Sequence, residues 1–209
     1  MRWQSSMWPG FIEDGVKGWR QGVGFHIRID ELIPGSDWNL AMAPHWRPVA
    51  GNASLSVNVQ IVESAGFSDA CLVSRLTMSF GAVDGYYLCL GSDGMVSAYF
   101  ASVSCPGGWD IEWLLDFVEH DSIRPVEEIN TLKIVTSGHH LWFYVNDTLI
   151  GEAEHNGPLE GSSAVWVETY DDVPAEIVFH KMTIHDIETT GATATAAVVD
   201  EPGQTTCGG

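Results

Sequence analysis

Residues 130–147, NTLKIVTSGHHLWFYVND, decide the fold, because apolar side chains alternate with their neighbours along both halves of this stretch. Leu132 and Ile134 share one face in the first half, and the second half repeats the alternation around Phe143. Gly138 interrupts the pattern between the halves. A period of two residues bounded by turn formers predicts two half-buried antiparallel strands joined by a tight turn, with Phe143 in the core.

Similar short runs recur along most of the chain, and turn-forming segments such as 81–85 and 92–94 separate them. No stretch has a convincing helical period, and residues 111–120 alone are ambiguous. Many short strands with frequent turns predict an all-β sandwich or barrel. The predicted strands outside the hairpin are 24–31, 53–63, 70–78, 86–90, 95–102, 111–118, 149–154, 164–170 and 176–187.

The composition is that of a folded, strongly acidic protein. The 209 residues include nine tryptophans, and 28 acidic residues against 9 basic ones give a net charge of −19. Such a charge repels nucleic acid and anionic lipid, so neither is an expected partner. No apolar run approaches the ~20 residues that a membrane-spanning helix needs, so we expect no membrane insertion.

Two segments bear on domain organisation and compartment. The start of the chain, MRWQSSMWPGFIEDG, has no apolar core of a secretory signal, so we expect a cytoplasmic protein if Met1 is the native start. A module cut from a longer chain remains the alternative. Residues 1–188 are predicted to form one domain, and residues 189–209, rich in Thr, Ala and Gly, a flexible tail or linker.

The four cysteines do not form a metal or redox motif, because no two of them stand in a CxxC pair. Cys71 and Cys89 fall in consecutive predicted strands and could face each other. Free buried thiols are the preferred interpretation, since cysteine packs well as a small apolar side chain.

Motifs spread over residues 3–188 resemble the concanavalin A-like lectin/glucanase (laminin G-like) jelly roll, in its non-catalytic bacterial form. This resemblance implies a two-sheet antiparallel jelly-roll sandwich and a carbohydrate or similar polar ligand. The chain departs from the family pattern at Trp142, where a small polar residue is usual, and at His180, where an acid is usual. The motifs are Trp8-Pro9, WNLAMAP at 38–44, YYLCLGSDG at 86–94, LLDF at 114–117, the hairpin at 130–146, and residues 170–179.

The glucanase relatives of this fold carry three acids spaced Glu-x-Asp-x-x-Glu, and this chain lacks that motif. Residues 119–124 end in a base, and 114–119 have Leu114 where the nucleophile should stand. A leucine cannot attack an anomeric carbon, so retaining glucanase chemistry of that type is not expected. An enzyme with other acids stays open. Its candidate residues are Asp116, Glu119, Asp121 and Glu168.

Three aromatic residues are candidates for ligand binding, because they alternate against core positions and should point outwards. They are Trp142, Tyr144 and Trp166. Flat aromatic faces stack on the apolar faces of sugar rings, which would make such a cluster a glycan platform. The same face could instead pack under a loop, against a partner domain or in a homo-oligomer. Other tryptophans are predicted to fill the core, namely Trp38, Trp46 and Trp113.

One acidic group could bind calcium through hard oxygen ligands, with a solvated acidic turn as the alternative. It consists of Glu168, Asp171 and Asp172. Taken together, the sequence favours a non-catalytic module that binds a carbohydrate or other polar ligand. A structural or protein-interaction module and a glycan-active enzyme are the alternatives.

Overall fold

Fourteen β-strands make up the computed structural model, which describes residues 10–13, 15–49, 51–79, 82–104 and 108–187. These ranges contain no helix, and hence no helical segment that could cross a membrane. The strands are β1 (Phe11–Glu13), β2 (Val16–Gln21), β3 (Gly24–Ile29), β4 (Trp38–Val49), β5 (Ala53–Ser64), β6 (Phe67–Ser79), β7 (Ala82–Gly91), β8 (Val96–Ser104), β9 (Gly108–Val118), β10 (Asn130–Ser137), β11 (His140–Val145), β12 (Thr148–Glu154), β13 (Gly161–Tyr170) and β14 (Ala175–Asp186).

The strands form two sheets, and every pairing is antiparallel. The eight-stranded sheet has the order β1-β2-β3-β14-β5-β10-β11-β12, and the six-stranded sheet has the order β4-β13-β6-β7-β8-β9. Pro44 lies in β4, an edge strand, which is where a sheet tolerates a proline. The predicted all-β fold of two antiparallel sheets is confirmed.

The main core lies between the sheets and contains the face predicted from the hairpin. Ile134 pairs with Phe143 on one side and with Leu55 on the other, and all three side chains are fully buried. Burial of each such side chain contributes about 1.5–3 kcal/mol. Phe143 therefore occupies the predicted core position.

Turn residues adopt the backbone conformations that their types favour. Gly138 has φ 55°, while Asn146 and Asp147 have φ 49° and 64° between β11 and β12. Two successive positive φ values match the right-handed twist of a two-residue hairpin. The predicted turn at 81–85 is wrong, because β7 begins at Ala82. Gly85 lies within the strand, where an added Cβ atom would come within 3.1 Å of the Val73 side chain, so the glycine allows close packing between β6 and β7.

The ambiguous segment is a strand, β9, at one edge of the six-stranded sheet. Trp113 in this strand is 46% exposed, so its predicted core position is wrong. The physical reason is that its side chain lies on the face turned away from the second sheet, beside Tyr99. Trp38 is half-buried, and the side chain of Trp46 lies outside the described residues.

A disulfide joins Cys71 and Cys89, so the preferred interpretation of free thiols is wrong. The two residues are directly opposite each other in the β6–β7 ladder, with Cα atoms 4.0 Å apart. Opposed residues of an antiparallel pair have close Cβ atoms, which brings the two sulfur atoms within bonding reach. The prediction for residues 189–209 lies outside the described residues.

Candidate functional site

A second apolar cluster covers the outer face of the six-stranded sheet, opposite the main core. It arises because β6, β7 and β8 are apolar on both faces: in YYLCL at 86–90, Tyr86, Leu88 and Leu90 enter the core, while Tyr87 and Cys89 point outwards. The unbroken apolar run was the sequence signal for this second layer. The buried members of the cluster are Cys71, Val73, Leu76, Tyr87, Cys89, Tyr99, Ala101, Ala164 and Trp166.

Five aromatic residues on this outer face form a continuous chain of ring contacts, which we call the aromatic face. Trp113 contacts Tyr99 with 5.3 Å between ring centroids, and Tyr99 stacks on Tyr87 at 4.9 Å. Tyr87 contacts Trp166 edge to face at 5.7 Å, and Trp166 contacts Trp109 at 5.7 Å. Trp166 is 4% exposed, whereas Trp109 is 42% and Trp113 46% exposed. The chain of rings thus has a buried middle and two accessible indoles.

The contact between Trp109 and Trp166 shows that the sheet curves around this face. Trp109 belongs to β9 and Trp166 to β13, four strand positions apart in the sheet order. Neighbouring strands lie about 4.8 Å apart, so a flat sheet would separate these backbones by about 19 Å. A ring contact over that span requires the edge strand to bend towards β13, which makes the aromatic face concave.

Two acids lie side by side next to the aromatic face, and we call them the carboxyl pair. Asp69 and Glu168 are directly opposite each other in the β6–β13 ladder, an arrangement that places Cβ atoms about 4.5–5.5 Å apart. Trp166 Nε1 donates to Glu168 Oε1 over 2.7 Å, and Tyr170 Oη donates to Glu168 Oε2 over 2.6 Å. These two hydrogen bonds fix the Glu168 carboxylate at the end of the chain of rings.

Negative charge in the carboxyl pair affects the pKa values of the pair itself and of two tyrosines of the aromatic face. Burial, together with the negative charges of Glu168 and Asp93, raises the pKa of Asp69 to about 7. Burial and the charge of Glu168 also raise the pKa values of Tyr87 and Tyr99 above their usual range. Across the described residues, neither member of the carboxyl pair forms an ion pair.

A separate polar cleft of about 880 Å³ lies at one end of the sandwich, between the β7–β8 turn and the loop after β9. Asp93 links the two regions, since it lines the cleft and its charge also acts on Asp69. The predicted catalytic acids are dispersed: Glu119 and Asp121 line this cleft, Asp116 is exposed on β9, and Glu168 belongs to the carboxyl pair. They do not form one catalytic set.

The three predicted ligand-binding residues lie on opposite sides of the sandwich. Trp142 and Tyr144 share the outer face of the eight-stranded sheet, whereas Trp166 lies in the six-stranded sheet. Trp142 Nε1 donates to Glu152 over 3.1 Å, and the Lys133 ammonium lies 4.6 Å from the centroid of the Tyr144 ring. A single platform containing all three residues is therefore not formed.

The predicted calcium ligands have other roles in the structure. Glu168 accepts the two hydrogen bonds described above, and Asp172 Oδ1 accepts a hydrogen bond from the Val173 N–H over 2.8 Å. Asp171 is an exposed turn residue with φ 67°. Within the described ranges, no three His, Cys, Asp or Glu side chains are grouped to hold a metal ion. Calcium binding stays a prediction.

Several solved structures have a similar fold. Carbohydrate-binding module CBM66 from Bacillus subtilis has 16% identity and a TM-score of 0.51, with 86% of this chain and 92% of that chain covered. A GH16 protein of the Bacteroides ovatus mixed-linkage glucan PUL, in complex with a product, has 5% identity and a TM-score of 0.58, with 88% and 97% covered. The kappa-carrageenase from Pseudoalteromonas carrageenovora has 8% identity and a TM-score of 0.54, with 86% and 89% covered.

Comparisons with protein-family models and with curated proteins find no match. At these low identities, the likeness to solved structures establishes the fold alone, which is the concanavalin A-like jelly-roll sandwich that the sequence motifs predicted.

Proposed function

We propose that this chain is a carbohydrate-binding domain whose ligand lies along the aromatic face. The observation that carries the proposal is the pair of accessible indoles, Trp109 and Trp113, on a concave sheet beside two carboxyl groups. Exposed aromatic rings stack on the apolar faces of sugar rings, and carboxylates accept hydrogen bonds from sugar hydroxyls. A concave sheet face with these two features is suited to an extended glycan.

The similar structures support the same class of ligand. They include a carbohydrate-binding module, a GH16 protein in complex with a glucan product and a carrageenase in complex with an oligosaccharide. One fold hosts many functions, so the site carries the proposal and the similar structures only support it. The proposed module is non-catalytic, because Leu114 stands where the glucanase motif requires its nucleophile.

A second candidate function, glycoside hydrolysis, is favoured by one observation about the carboxyl pair. A retaining glycosidase needs a protonated acid and an ionised carboxylate about 5 Å apart. Burial and the charges of Glu168 and Asp93 raise the pKa of Asp69 to about 7, and Asp69 lies directly opposite Glu168 in the β6–β13 ladder, which places the two carboxyl groups on one face. Release of reducing ends from oligosaccharides, abolished in Glu168→Gln, would establish hydrolysis. Binding without release over a long incubation would leave the non-catalytic module.

A second candidate surface for the same function is the outer face of the eight-stranded sheet, where Trp142 and Tyr144 are half-buried. A glycan screen by tryptophan fluorescence and calorimetry distinguishes the two surfaces. We expect Trp113→Ala to lose binding of the best ligand and Trp142→Ala to retain it. The reverse result would move the site to the eight-stranded sheet, and no binding to any glycan would refute the proposal.

The Trp113→Ala variant also tests the alternative of a protein-interaction module. If Trp113 lies in an interface with a partner domain or a second copy, Trp113→Ala should change the molecular mass of the protein in solution. Light scattering measures the molecular mass of the native chain and of Trp113→Ala at the concentrations used for the binding experiments. An unchanged mass together with lost glycan binding supports the proposed function.

A further inference from the structure

A β-bulge in β6 turns a charged side chain towards the interior of the sandwich. The register of the β6–β13 ladder shifts there, so that Ser163 alone lies opposite both Ser74 and Arg75. Arg75 has φ 52°, a backbone conformation that residues other than glycine, asparagine and aspartate seldom adopt. Its guanidinium lies over the ring of Tyr86, 5.9 Å from the ring centroid, and Tyr86 belongs to the main core. The bulge therefore directs Arg75 between the two sheets.

The Arg75 guanidinium is buried and forms no ion pair with a carboxylate of the described residues. Its two terminal nitrogens donate to neutral backbone carbonyls, Nη1 to that of Pro158 over 3.3 Å and Nη2 to that of Gly51. Burial raises the pKa of Tyr86, so the phenol beside the guanidinium is neutral and supplies no countercharge. Arginine stays protonated in proteins, and a buried charge without a partner is strongly destabilising.

Three polar atoms at the bulge are buried and lack a hydrogen-bond partner in the part of the chain that the structure describes. They are Arg75 Nε, Ser74 Oγ and Ser163 Oγ, and we call the three residues the bulge cluster. Ser74 lies opposite Tyr86, and Ser163 is two residues from the core residue Val165. Both serines therefore lie on the inner side of the six-stranded sheet, as the guanidinium does.

We infer that the bulge cluster binds a small monovalent anion of the size of chloride, held by Arg75 Nε and by the hydroxyls of Ser74 and Ser163. All three groups can donate hydrogen bonds to an anion, because a hydroxyl hydrogen rotates to suit its acceptor. A buried water molecule would also satisfy these groups, but it would leave the guanidinium charge uncompensated. An anion supplies both the acceptor and the countercharge.

The position of the site determines how the anion is held. All three residues of the bulge cluster are 0% exposed, so the anion is enclosed as the chain folds and larger anions are excluded. The site is on the inner side of the six-stranded sheet, whereas the aromatic face is on its outer side. The inference is therefore independent of the proposed function.

The test measures the melting temperature of the full-length chain as chloride replaces gluconate at constant ionic strength. A ligand that binds only the folded state raises the folding equilibrium constant about tenfold for each tenfold increase above its dissociation constant. For a chain of 209 residues, that increase should raise the melting temperature by about 3–5 °C. A melting temperature independent of chloride would overturn the inference and leave water as the partner of the three groups.

Variants assign the effect to the bulge cluster. Arg75→Met removes the charge and should abolish the dependence on chloride. Ser163→Ala, the second variant if Arg75→Met fails to fold, should move the dependence to about tenfold higher chloride, because one hydrogen bond to a charged group is lost.

Two control variants remove the same groups elsewhere. Arg28→Met removes an arginine that has the carboxylate partner Glu63, and Ser68→Ala removes another buried hydroxyl of β6. Both should keep the full shift in melting temperature with chloride. A shift lost equally in the controls would assign the effect to a general action of salt and overturn the inference.

Bromide locates the anion directly, because it replaces chloride and scatters X-rays anomalously. In crystals grown in bromide, we expect an anomalous peak within hydrogen-bond distance of Arg75 Nε. Density at that place without an anomalous signal would identify water and overturn the inference. Neither result changes the expected glycan binding at the aromatic face, so the two proposals can fail separately.

Discussion

Asp69→Asn is expected to stabilise the protein, and the gain should grow with pH. In the folded chain the pKa of Asp69 is raised from 3.8 to about 7, first by burial and then by the charges of Glu168 and Asp93. Between these two pH values the folded state holds a proton that the unfolded state releases. The free energy of unfolding therefore falls as pH rises through this window, and the full loss is present above pH 7.

The magnitude follows from the size of the shift. A change of about 3 pKa units corresponds to on the order of 4 kcal/mol, at 1.36 kcal/mol per unit. An asparagine has nearly the same shape and no charge to bury. The free energy of unfolding of Asp69→Asn, relative to that of the native chain, should therefore rise by this amount between pH 4 and pH 8. Above pH 8 the difference between the two proteins should change little.

Urea unfolding followed by tryptophan fluorescence, at intervals from pH 4 to pH 8.5, measures the difference between the two proteins. Asp171→Asn is the matched control, since Asp171 is exposed and its φ of 67° suits asparagine. The control should differ from the native chain by a constant amount. A difference for Asp69→Asn that is equally independent of pH would refute the account of a half-buried, repelled carboxyl group.

Other substitutions probe the core, the disulfide and the two outer faces. Phe143→Ala removes a fully buried ring and should cost about 3–5 kcal/mol in urea unfolding; a loss below 1 kcal/mol would place it outside the core. Joint replacement of Cys71 and Cys89 by alanine opens a loop with a sequence separation of 18 and should cost about 3 kcal/mol. A peptide map without reductant should show the two cysteines joined, and separate peptides would contradict the disulfide. Trp142→Ala, on an outer face, should cost less than about 1 kcal/mol, and ready unfolding would show that it seals a cavity.

The hairpin and the main core could be predicted because their information is local. In β10 and β11 buried side chains alternate with half-buried or exposed ones, so alternation identifies the buried side chains, including Phe143. Gly138 and Asn146 also mark the turns by residue type alone. The fold class follows from such local patterns once enough strands carry them.

The aromatic face could not be found in the same way, because its strands are apolar on both sides. Alternation distinguishes the two faces of a strand but does not show which sheet the strand belongs to. Trp166 and Trp142 are therefore both predicted to point outwards, although they lie on opposite sides of the sandwich. The pairing of Asp69 with Glu168 depends on which strands are neighbours in the sheet, and the local sequence of neither strand specifies that order. Trp113 was misplaced for a related reason, since an edge strand exposes apolar positions that a central strand would bury.

The edge position of β9 also creates a risk of self-association. As the last strand of its sheet, β9 presents an unpaired backbone edge beside four exposed apolar side chains, the features that favour edge-to-edge aggregation. Acidic residues interrupt this apolar strip and act as gatekeepers against pairing between copies. They are Asp110, Glu112 and Asp116. The strand whose tryptophans stand on the aromatic face is therefore also the place where edge-to-edge pairing of copies would begin if these acidic residues were removed.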